Sequence, residues 1–196
     1  MKHIGKSYDK VDAKGILSGK PSYTGDFVPK DALIIKVLRS PHAQAKIKSI
    51  DTSKAKLIPG VEAIFTYEDV PNTRFTLAGQ TYPEPSAYDA LILDSVVRYV
   101  GDEVALVVAK DEATALKAMP LIKVEYEVQK PVLDLRTAMD HETVVHPEDD
   151  ILNHIPVGQD YKRNICVSYH KRVGDIEAEL AKCDYVVDGT YFDQAT

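Results

Sequence analysis

Hydrophobic and polar positions fall into short segments that favour strands over helices. Residues 32–38 (ALIIKVL) form a nearly continuous apolar run, which is typical of a buried strand. Residues 43–50 alternate and predict a strand whose odd-numbered side chains share one face. Residues 103–109 (EVALVVA) carry no polar side chain after Glu103, so they predict a central strand that is apolar on both faces. Residues 123–128 (KVEYEV) alternate cleanly and predict another strand.

Weaker patterns complete the strand prediction. Their alternation and their β-branched and aromatic residues indicate four further strands, at 61–66, 96–99, 165–171 and 185–192. Three longer stretches between the elements are predicted as loops or connectors, at 19–26, 72–89 and 134–162.

One helix is predicted from Glu112 to about Met119. Asp111 is expected to cap it, and Pro120 limits its length because proline cannot continue a helical ladder. Its apolar side is expected to consist of Ala113, Leu116 and Ala118.

Shorter helical segments are predicted elsewhere. A short helix at 53–57 is expected to be capped by Asp51 or Thr52 and ended by Pro59-Gly60. Single helical turns are expected at 67–70 and 135–139, and a helix at 176–182. Several strands with a few short helices predict an α+β fold.

Composition narrows the classes of function. The chain has 196 residues, a net charge of −6 and a pI near 5.5, which argues against a general nucleic-acid binder. It has no apolar signal-peptide core and no run of 18 apolar residues, so neither membrane insertion nor export is expected and a cytoplasmic location is predicted. Cys166 and Cys183 lack metal-binding spacing and are expected to be reduced and to face a core.

Four places in the sequence suggest a binding or catalytic role, but a structural or solvent-exposed role is favoured for each. His141 and His146 are five residues apart, whereas the zinc motif needs four. Residues 15–21 resemble a phosphate-binding loop but are one residue short and place proline at the magnesium position. His42 could lie near a cofactor domain or pair with a carboxylate, but a structural role is favoured. Residues 148–150 are interpreted as a solvated acidic loop rather than a cation site.

A series of phrases along the chain resembles the xanthine dehydrogenase and aldehyde oxidase family of molybdenum hydroxylases. The first is R-S-P-H-A-Q-A-K-I at 39–47, which resembles the family's R-S-x-H-A-x-A-x-I segment. The others follow in the family's order, at 50–55, 59–61, 68–71, 97–105, 124–127 and 131–132. Lead-in matches lie upstream (Asp12-Ala13, Gly19 and Tyr23), and further similarity lies downstream, at 163–165, 174–175 and 181–187.

The resemblance implies a domain organisation. Residues 1–134 correspond to the a/b hammerhead domain with its lead-in, 135–162 to a connector, and 163–196 to the start of a molybdopterin-binding domain. The resemblance also leads us to expect an unbroken helix where Pro120 stands. The chain is expected to end before the family's active-site residues, with an uncovered final strand that promotes self-association.

The family hydroxylates N-heterocycles or aldehydes with water as the oxygen source. Its chemistry uses molybdopterin, and electrons leave through [2Fe–2S] clusters, usually to FAD. The resemblance places the catalytic glutamate and the glycine-rich pterin loop beyond this stretch, so no catalytic, cofactor-binding or metal-binding residue is assigned, and no cofactor is expected in this chain.

The expected partners are the rest of the molybdopterin-binding domain and the iron–sulfur and FAD domains or subunits. The chain is therefore expected to be a structural, catalytically incomplete part of such an enzyme. The alternative is a stand-alone, non-catalytic interaction module built on the hammerhead domain.

Overall fold

The computed structural model describes residues 4–20, 23–79, 83 and 85–193. They form two compact units: unit 1 is drawn from Met1–Thr73 and Leu91–Pro131, and unit 2 from Arg74–Ala90 and Val132–Thr196. Parts of the predicted turn at 19–26, of the loop at 72–89 and of the chain end at 193–196 lie outside the described residues. The domain boundaries at 134 and 162 stay predictions.

Unit 1 contains two antiparallel three-stranded sheets. Sheet A has the order β1–β5–β3 and sheet B the order β4–β2–β6. The strands are β1 Ile34–Arg39, β2 Ala45–Asp51, β3 Val61–Phe65, β4 Val96–Val97, β5 Glu103–Ala109 and β6 Lys123–Val128. The predicted central position of β5 is confirmed, because it pairs with a strand on each side.

The helices are short, and they confirm the α+β class. They are α1 Ala13–Leu17, α2 Ser53–Lys56, α3 Glu112–Ala118 and α4 Ile176–Leu180, with 3-10 turns at Thr24–Phe27, Met119–Leu121, Leu135–Thr137 and Tyr161–Arg163. Asp111 caps α3 as predicted, since its carboxylate accepts a hydrogen bond of 2.7 Å from the Thr114 amide. The 3-10 turn that contains Pro120 follows α3 directly, so the unbroken helix expected there is not formed.

Two hydrophobic clusters form the core of unit 1. The first lies between sheet A and helices α2 and α3, and it includes Ile64, Val107 and Ala115. The second joins β2, β4 and β5 through Ala45, Ile47, Val97 and Val104. Strand β5 contributes to both clusters, because its successive side chains point to opposite faces.

Two predicted faces are wrong in detail. Ser49 was expected beside Ile47, but a register shift between them gives that place to Ile50, which packs against both clusters. On α3, Ala113 and Leu116 are exposed, whereas Ala115 and Ala118 are buried. The two alanines lie three residues apart on one side of the helix, and their small side chains let it approach sheet A closely.

Two strand predictions in unit 2 are also wrong. Residues 165–171 form only an isolated bridge, between Asp160 and Ile165, and residues 185–192 form no strand. Among the described residues neither segment has a neighbouring strand, and β propensity without a partner does not hold an extended chain in place. Tyr185, Val187 and Phe192 are each about 90% exposed.

None of the helices in the described part of the chain is both long and apolar enough to cross a bilayer.

Two glycines with positive φ provide a matched test of how unit 1 packs. Gly60 (φ +93°) follows α2, and a Cβ added there would lie 3.3 Å from Thr114 Cγ2 on α3. Gly101 (φ +100°) turns the chain into β5 and has nothing within 4 Å of such a Cβ. Gly60→Ala should therefore lower the free energy of unfolding by about 1–3 kcal/mol, more than Gly101→Ala, because only Gly60→Ala adds crowding to the backbone strain.

Urea denaturation of both variants measures the difference. Thr114→Ser removes the crowding methyl group and should bring the cost of Gly60→Ala close to that of Gly101→Ala. Equal costs in the wild-type background would show that α3 does not pack against Gly60 as described.

Candidate functional site

Unit 2 contains a cavity of about 790 Å³, hereafter the unit 2 groove. Its apolar lining consists of Pro85, Ala87, Val132, Leu133, Leu135, Ala138, Val145, Val157 and Val167. Its polar lining consists of Ser86, Asp89, His146, Asn153, Tyr161, Asn164 and Cys166. Leu133 and Leu135 are 81% and 88% exposed, so the groove presents apolar surface to solvent.

Asn164 holds one wall of the groove together. Its side-chain amide donates hydrogen bonds of 2.9 Å to the carbonyls of Ala138 and Thr143, and its side-chain oxygen accepts one of 2.9 Å from the Val145 amide. Asn164 adopts φ 58°, a left-handed conformation that asparagine tolerates better than most residues. One side chain thus connects three points on a loop that has no regular secondary structure.

The neighbouring residue strengthens this junction. The Arg163 guanidinium donates to both carboxylate oxygens of Asp140, at 2.6 and 2.8 Å, and the Asp140 amide donates to the Arg163 carbonyl. The hydrogen bond from Arg163 holds the pKa of Asp140 below its usual range, so the carboxylate stays charged at neutral pH. Asp140 also has φ 58°, so both left-handed non-glycine residues of the described chain lie at this junction.

A second set of contacts connects the segment 74–90 to the rest of unit 2. The Arg74 side chain, which is 10% exposed, donates to the Asp150 carboxylate at 2.8 Å and to the Asp89 carbonyl at 2.9 Å. His146 lies between the carboxylates of Asp89 (3.8 Å) and Glu148 (3.5 Å), and a protonated imidazole would pair with both.

Tyr161 contributes a neutral donor at the groove. Burial raises the pKa of Tyr161, so its hydroxyl stays protonated and donates a hydrogen bond to the Asn153 side chain. Three of the polar side chains of the groove, Tyr161, Asn153 and Asn164, are therefore engaged in hydrogen bonds within unit 2. These side chains hold the loops around the groove in place.

The groove does not fit the phosphate-bearing pterin that the resemblance implies. A phosphate needs cationic side chains or a row of backbone amides, whereas the lining residues that the structure describes include no lysine or arginine and include the Asp89 carboxylate. Within residues 4–20, 23–79, 83 and 85–193, no three His, Cys, Asp or Glu side chains are arranged to hold a metal ion. The absence of catalytic and cofactor-binding residues from the whole chain stays a prediction.

The structure separates the two histidines of the zinc-like segment. The His141 ring accepts a hydrogen bond from the Thr143 amide, whereas His146 faces Asp89 and Glu148. His42 packs edge-on against Tyr126, with 4.8 Å between ring centroids, and its backbone is bonded to the Ser40 hydroxyl, as a structural histidine would be.

The other two candidate segments are also explained by ion pairs and secondary structure. Asp149 pairs with Lys162 and Asp150 with Arg74, so each carboxylate has its own cation. In the phosphate-loop-like segment, Gly15 to Leu17 lie in α1 and Pro21 lies outside the described residues.

The prediction that the cysteines are reduced is confirmed, but the prediction that they face a core is wrong. Cys166 and Cys183 are both exposed rather than facing a core, and both are free thiols. Cys166 lines the groove, and Cys183 follows α4, whose own apolar residues Ile176 and Leu180 are 49% and 42% exposed. The core that the cysteines were expected to face is not formed by the described residues.

The roles of Asn164 and Asp140 in holding the wall of the groove together were not predicted from the sequence. Residues 163–165 stood out only as part of a family phrase. The sequence does place at 164 an asparagine, a residue that tolerates the left-handed conformation found at the ends of short turns. Its partners at 138–145 could not be predicted, because tertiary contacts bring them to Asn164.

Comparison with known proteins gives a consistent result. The family model described as "Aldehyde oxidase and xanthine dehydrogenase, a/b hammerhead domain" matches residues 18–130. An Escherichia coli (strain K12) protein named "Probable hypoxanthine oxidase XdhD" is 40% identical over 96% of this chain, which spans 22% of that relative. The nicotinate dehydrogenase large molybdopterin subunit of Eubacterium barkeri is 30% identical over 96% of this chain and 40% of its own length.

A solved structure also resembles the chain. The Cu,Mo-CO dehydrogenase in its carbon monoxide reduced state superposes with a TM-score of 0.64 at 29% identity, over 92% of this chain and 23% of that one. The chain thus spans about a fifth of the length of the first relatives and of this structure.

Replacing Asn164 tests the support of the groove. Asn164→Ala removes three hydrogen bonds and should lower the free energy of opening at residues 138–145 by roughly 2–3 kcal/mol. Asn164→Gly also loses the side chain but tolerates the left-handed backbone, so it should recover about 1 kcal/mol of that loss. Native-state hydrogen exchange at the Val145 amide reads out both changes, and unchanged exchange in Asn164→Ala would contradict the assigned role.

Proposed function

This chain belongs to the aldehyde oxidase and xanthine dehydrogenase family, and we propose that it is the scaffold region of a molybdopterin-binding subunit. In this proposal the complete subunit hydroxylates an N-heterocycle or an aldehyde with water as the oxygen source. The residues of this chain supply no catalytic group. They support the cofactor-binding region that performs the reaction.

The observation that carries the proposal is the character of the unit 2 groove. Its walls are mostly apolar, its Tyr161, Asn153 and Asn164 side chains are hydrogen-bonded within unit 2, and its described lining offers no cation for a phosphate. Such a surface is suited to being covered by protein rather than to binding a charged cofactor. The exposed Tyr185, Val187 and Phe192 add further apolar surface in the same unit.

The names of the relatives support a role that is independent of substrate. Proteins named for hypoxanthine, nicotinate and carbon monoxide all match this chain over more than nine-tenths of its length. A region that is similar across such different substrates does not select among them. In the proposed enzyme the molybdenum cofactor supplies the redox chemistry, and substrate selection lies elsewhere in the subunit.

The partners follow from the same proposal. The remaining molybdopterin-binding region covers the groove, and iron–sulfur and FAD domains or subunits accept the electrons. A cytoplasmic location is proposed as well, and the two free, exposed thiols suit a reducing compartment. Self-association of the isolated chain through the exposed residues 185–192 is an expected consequence of leaving that apolar surface uncovered.

A segment exchange tests this function. The matched segment of the Escherichia coli relative is replaced by this chain, and the chimera is purified from cells that make the cofactor. Because the segment is proposed to be scaffold, the chimera should hold molybdenum at a level comparable to the unmodified relative and keep that relative's substrate preference. Asn164→Ala in the chimera should reduce the yield of molybdenum-containing protein, because the groove loses its support.

Two results would contradict the proposal. One is a chimera that binds molybdenum but adopts a new substrate preference, since the segment would then select substrate. The other is stoichiometric molybdenum in the isolated 196-residue chain, measured by elemental analysis, since the cofactor site would then lie within it. A chimera in which unit 1 is folded but does not pack against the rest of the relative would favour the stand-alone interaction module.

A further inference from the structure

Sheet A has a second apolar face, opposite helix α3. On β1, Lys36 points toward α3, where its ammonium group pairs with Glu112 at 2.5 Å. Ile35 and Val37 therefore point to the other side, because successive side chains on a strand alternate. On β5, Val107 belongs to the cluster under α3, so Leu106 and Val108 also point away from it.

The strand register arranges these side chains in two rows. One row is Ile35–Val108–Ala63 and the other is Val37–Leu106–Phe65, each crossing all three strands. We call these six residues the open face of sheet A. Neither hydrophobic cluster of unit 1 includes any of them. Val108, on the central strand, is only 9% exposed, whereas Ile35 and Phe65 on the outer strands remain 56% and 39% exposed.

Sheet B provides an internal comparison. Its outward side chains include Lys46 and Lys48 on β2 and Glu125 and Glu127 on β6, and all four are exposed. Lys46 lies directly opposite Glu127 in the register, an opposite-charge pair that is typical of a sheet face in contact with water. The open face of sheet A has no such residue, although both sheets belong to one unit.

We propose that the open face of sheet A is a docking face, covered by an uncharged, apolar element of the remaining subunit. This inference rests on the proposed function, because it takes its occupant from the longer protein. The central strand β5 is apolar on both sides, a pattern typical of strands that are buried on both faces, whereas a sheet with one face in water alternates apolar and polar residues.

The size of the face indicates a tethered occupant. Six side chains are far fewer than the roughly 20–30 residues per side that a stable, free-standing interface uses. A second copy of the chain would therefore bind too weakly through this face alone. An element of the same polypeptide needs less contact area because covalent linkage raises its effective concentration. The length of the relatives, of which this chain spans about a fifth, leaves ample polypeptide for this role.

Site-specific thiol labelling tests the proposal. In a background with Cys166→Ser and Cys183→Ser, Ile35→Cys reports on the open face and Lys48→Cys on the outward face of sheet B. Each variant is labelled with a maleimide in the isolated chain and in the chimera, and peptide mass spectrometry reads the labelled position. Labelling of Ile35→Cys should slow by about tenfold or more in the chimera, because a covered thiol reacts only after local opening. Lys48→Cys should label at similar rates in both proteins.

The outcomes separate this inference from the proposed function. A chimera that contains molybdenum but labels Ile35→Cys as fast as the isolated chain does would overturn the docking face and leave the proposed function intact. A chimera without molybdenum counts against the proposed function, yet the labelling rate still reports whether the face is covered. Concentration-dependent slowing in the isolated chain would identify a second copy as the occupant and overturn the proposal.

A stability measurement covers the case in which no chimera is soluble. In the isolated chain Ile35→Thr should change the Tm by only about 2 °C, because the Ile35 side chain is already 56% exposed there. Ile47→Thr, at a side chain that is 6% exposed within the second cluster, should lower the Tm by several times that amount. Equal and large losses would mean that the face is already covered in the isolated chain, which would overturn the proposal.

Discussion

Strand β5 sets the main constraint on this structure, because it is apolar on both sides and must be covered on both. One side packs under α3, where Ala115 and Ala118 allow close approach. The other side contributes Val104 to the cluster with Ala45 and Val97. Its Leu106 and Val108 lie between the β1 and β3 side chains of the open face of sheet A, where Val108 is 9% exposed and Ile35 beside it is 56% exposed. The architecture of unit 1 follows from burying this strand, and so does the one face that it leaves for another element.

Unit 2 is held together by different forces. It has little regular structure among its described residues, and its loops are joined by side chains: Asn164 to three backbone groups, Arg163 to Asp140, and Arg74 to Asp150. Polar supports of this kind fix the shape of a surface without filling a core. Unit 2 therefore combines a defined groove with exposed apolar side chains, a combination that suits a region completed by contact with other protein.

The sequence predicted those elements whose partners are specified locally or by strong burial. β5 and β6 were predicted with the bounds they have, and Asp111 and Pro120 correctly marked the ends of α3. Residues 165–171 and 185–192 carry a weaker strand pattern, and they have no neighbouring strand in the described chain. The groove was not predicted at all, because its walls come from segments near 87, 133 and 164 that only the folded chain brings together. The family, by contrast, was identified from ordered phrases and is confirmed.

Native-state hydrogen exchange of the isolated 196-residue chain tests the central claim most directly. The claim is that the core of unit 1 folds within this chain, whereas residues 185–192 of unit 2 become ordered only on contact with other protein. Amides of β5 should be the slowest to exchange, because they open only with global unfolding. Amides of residues 185–192 should exchange within about tenfold of the rate of an unstructured peptide. Protection of residues 185–192 as strong as that of β5 would contradict the claim, because that segment would then be folded without its proposed partner.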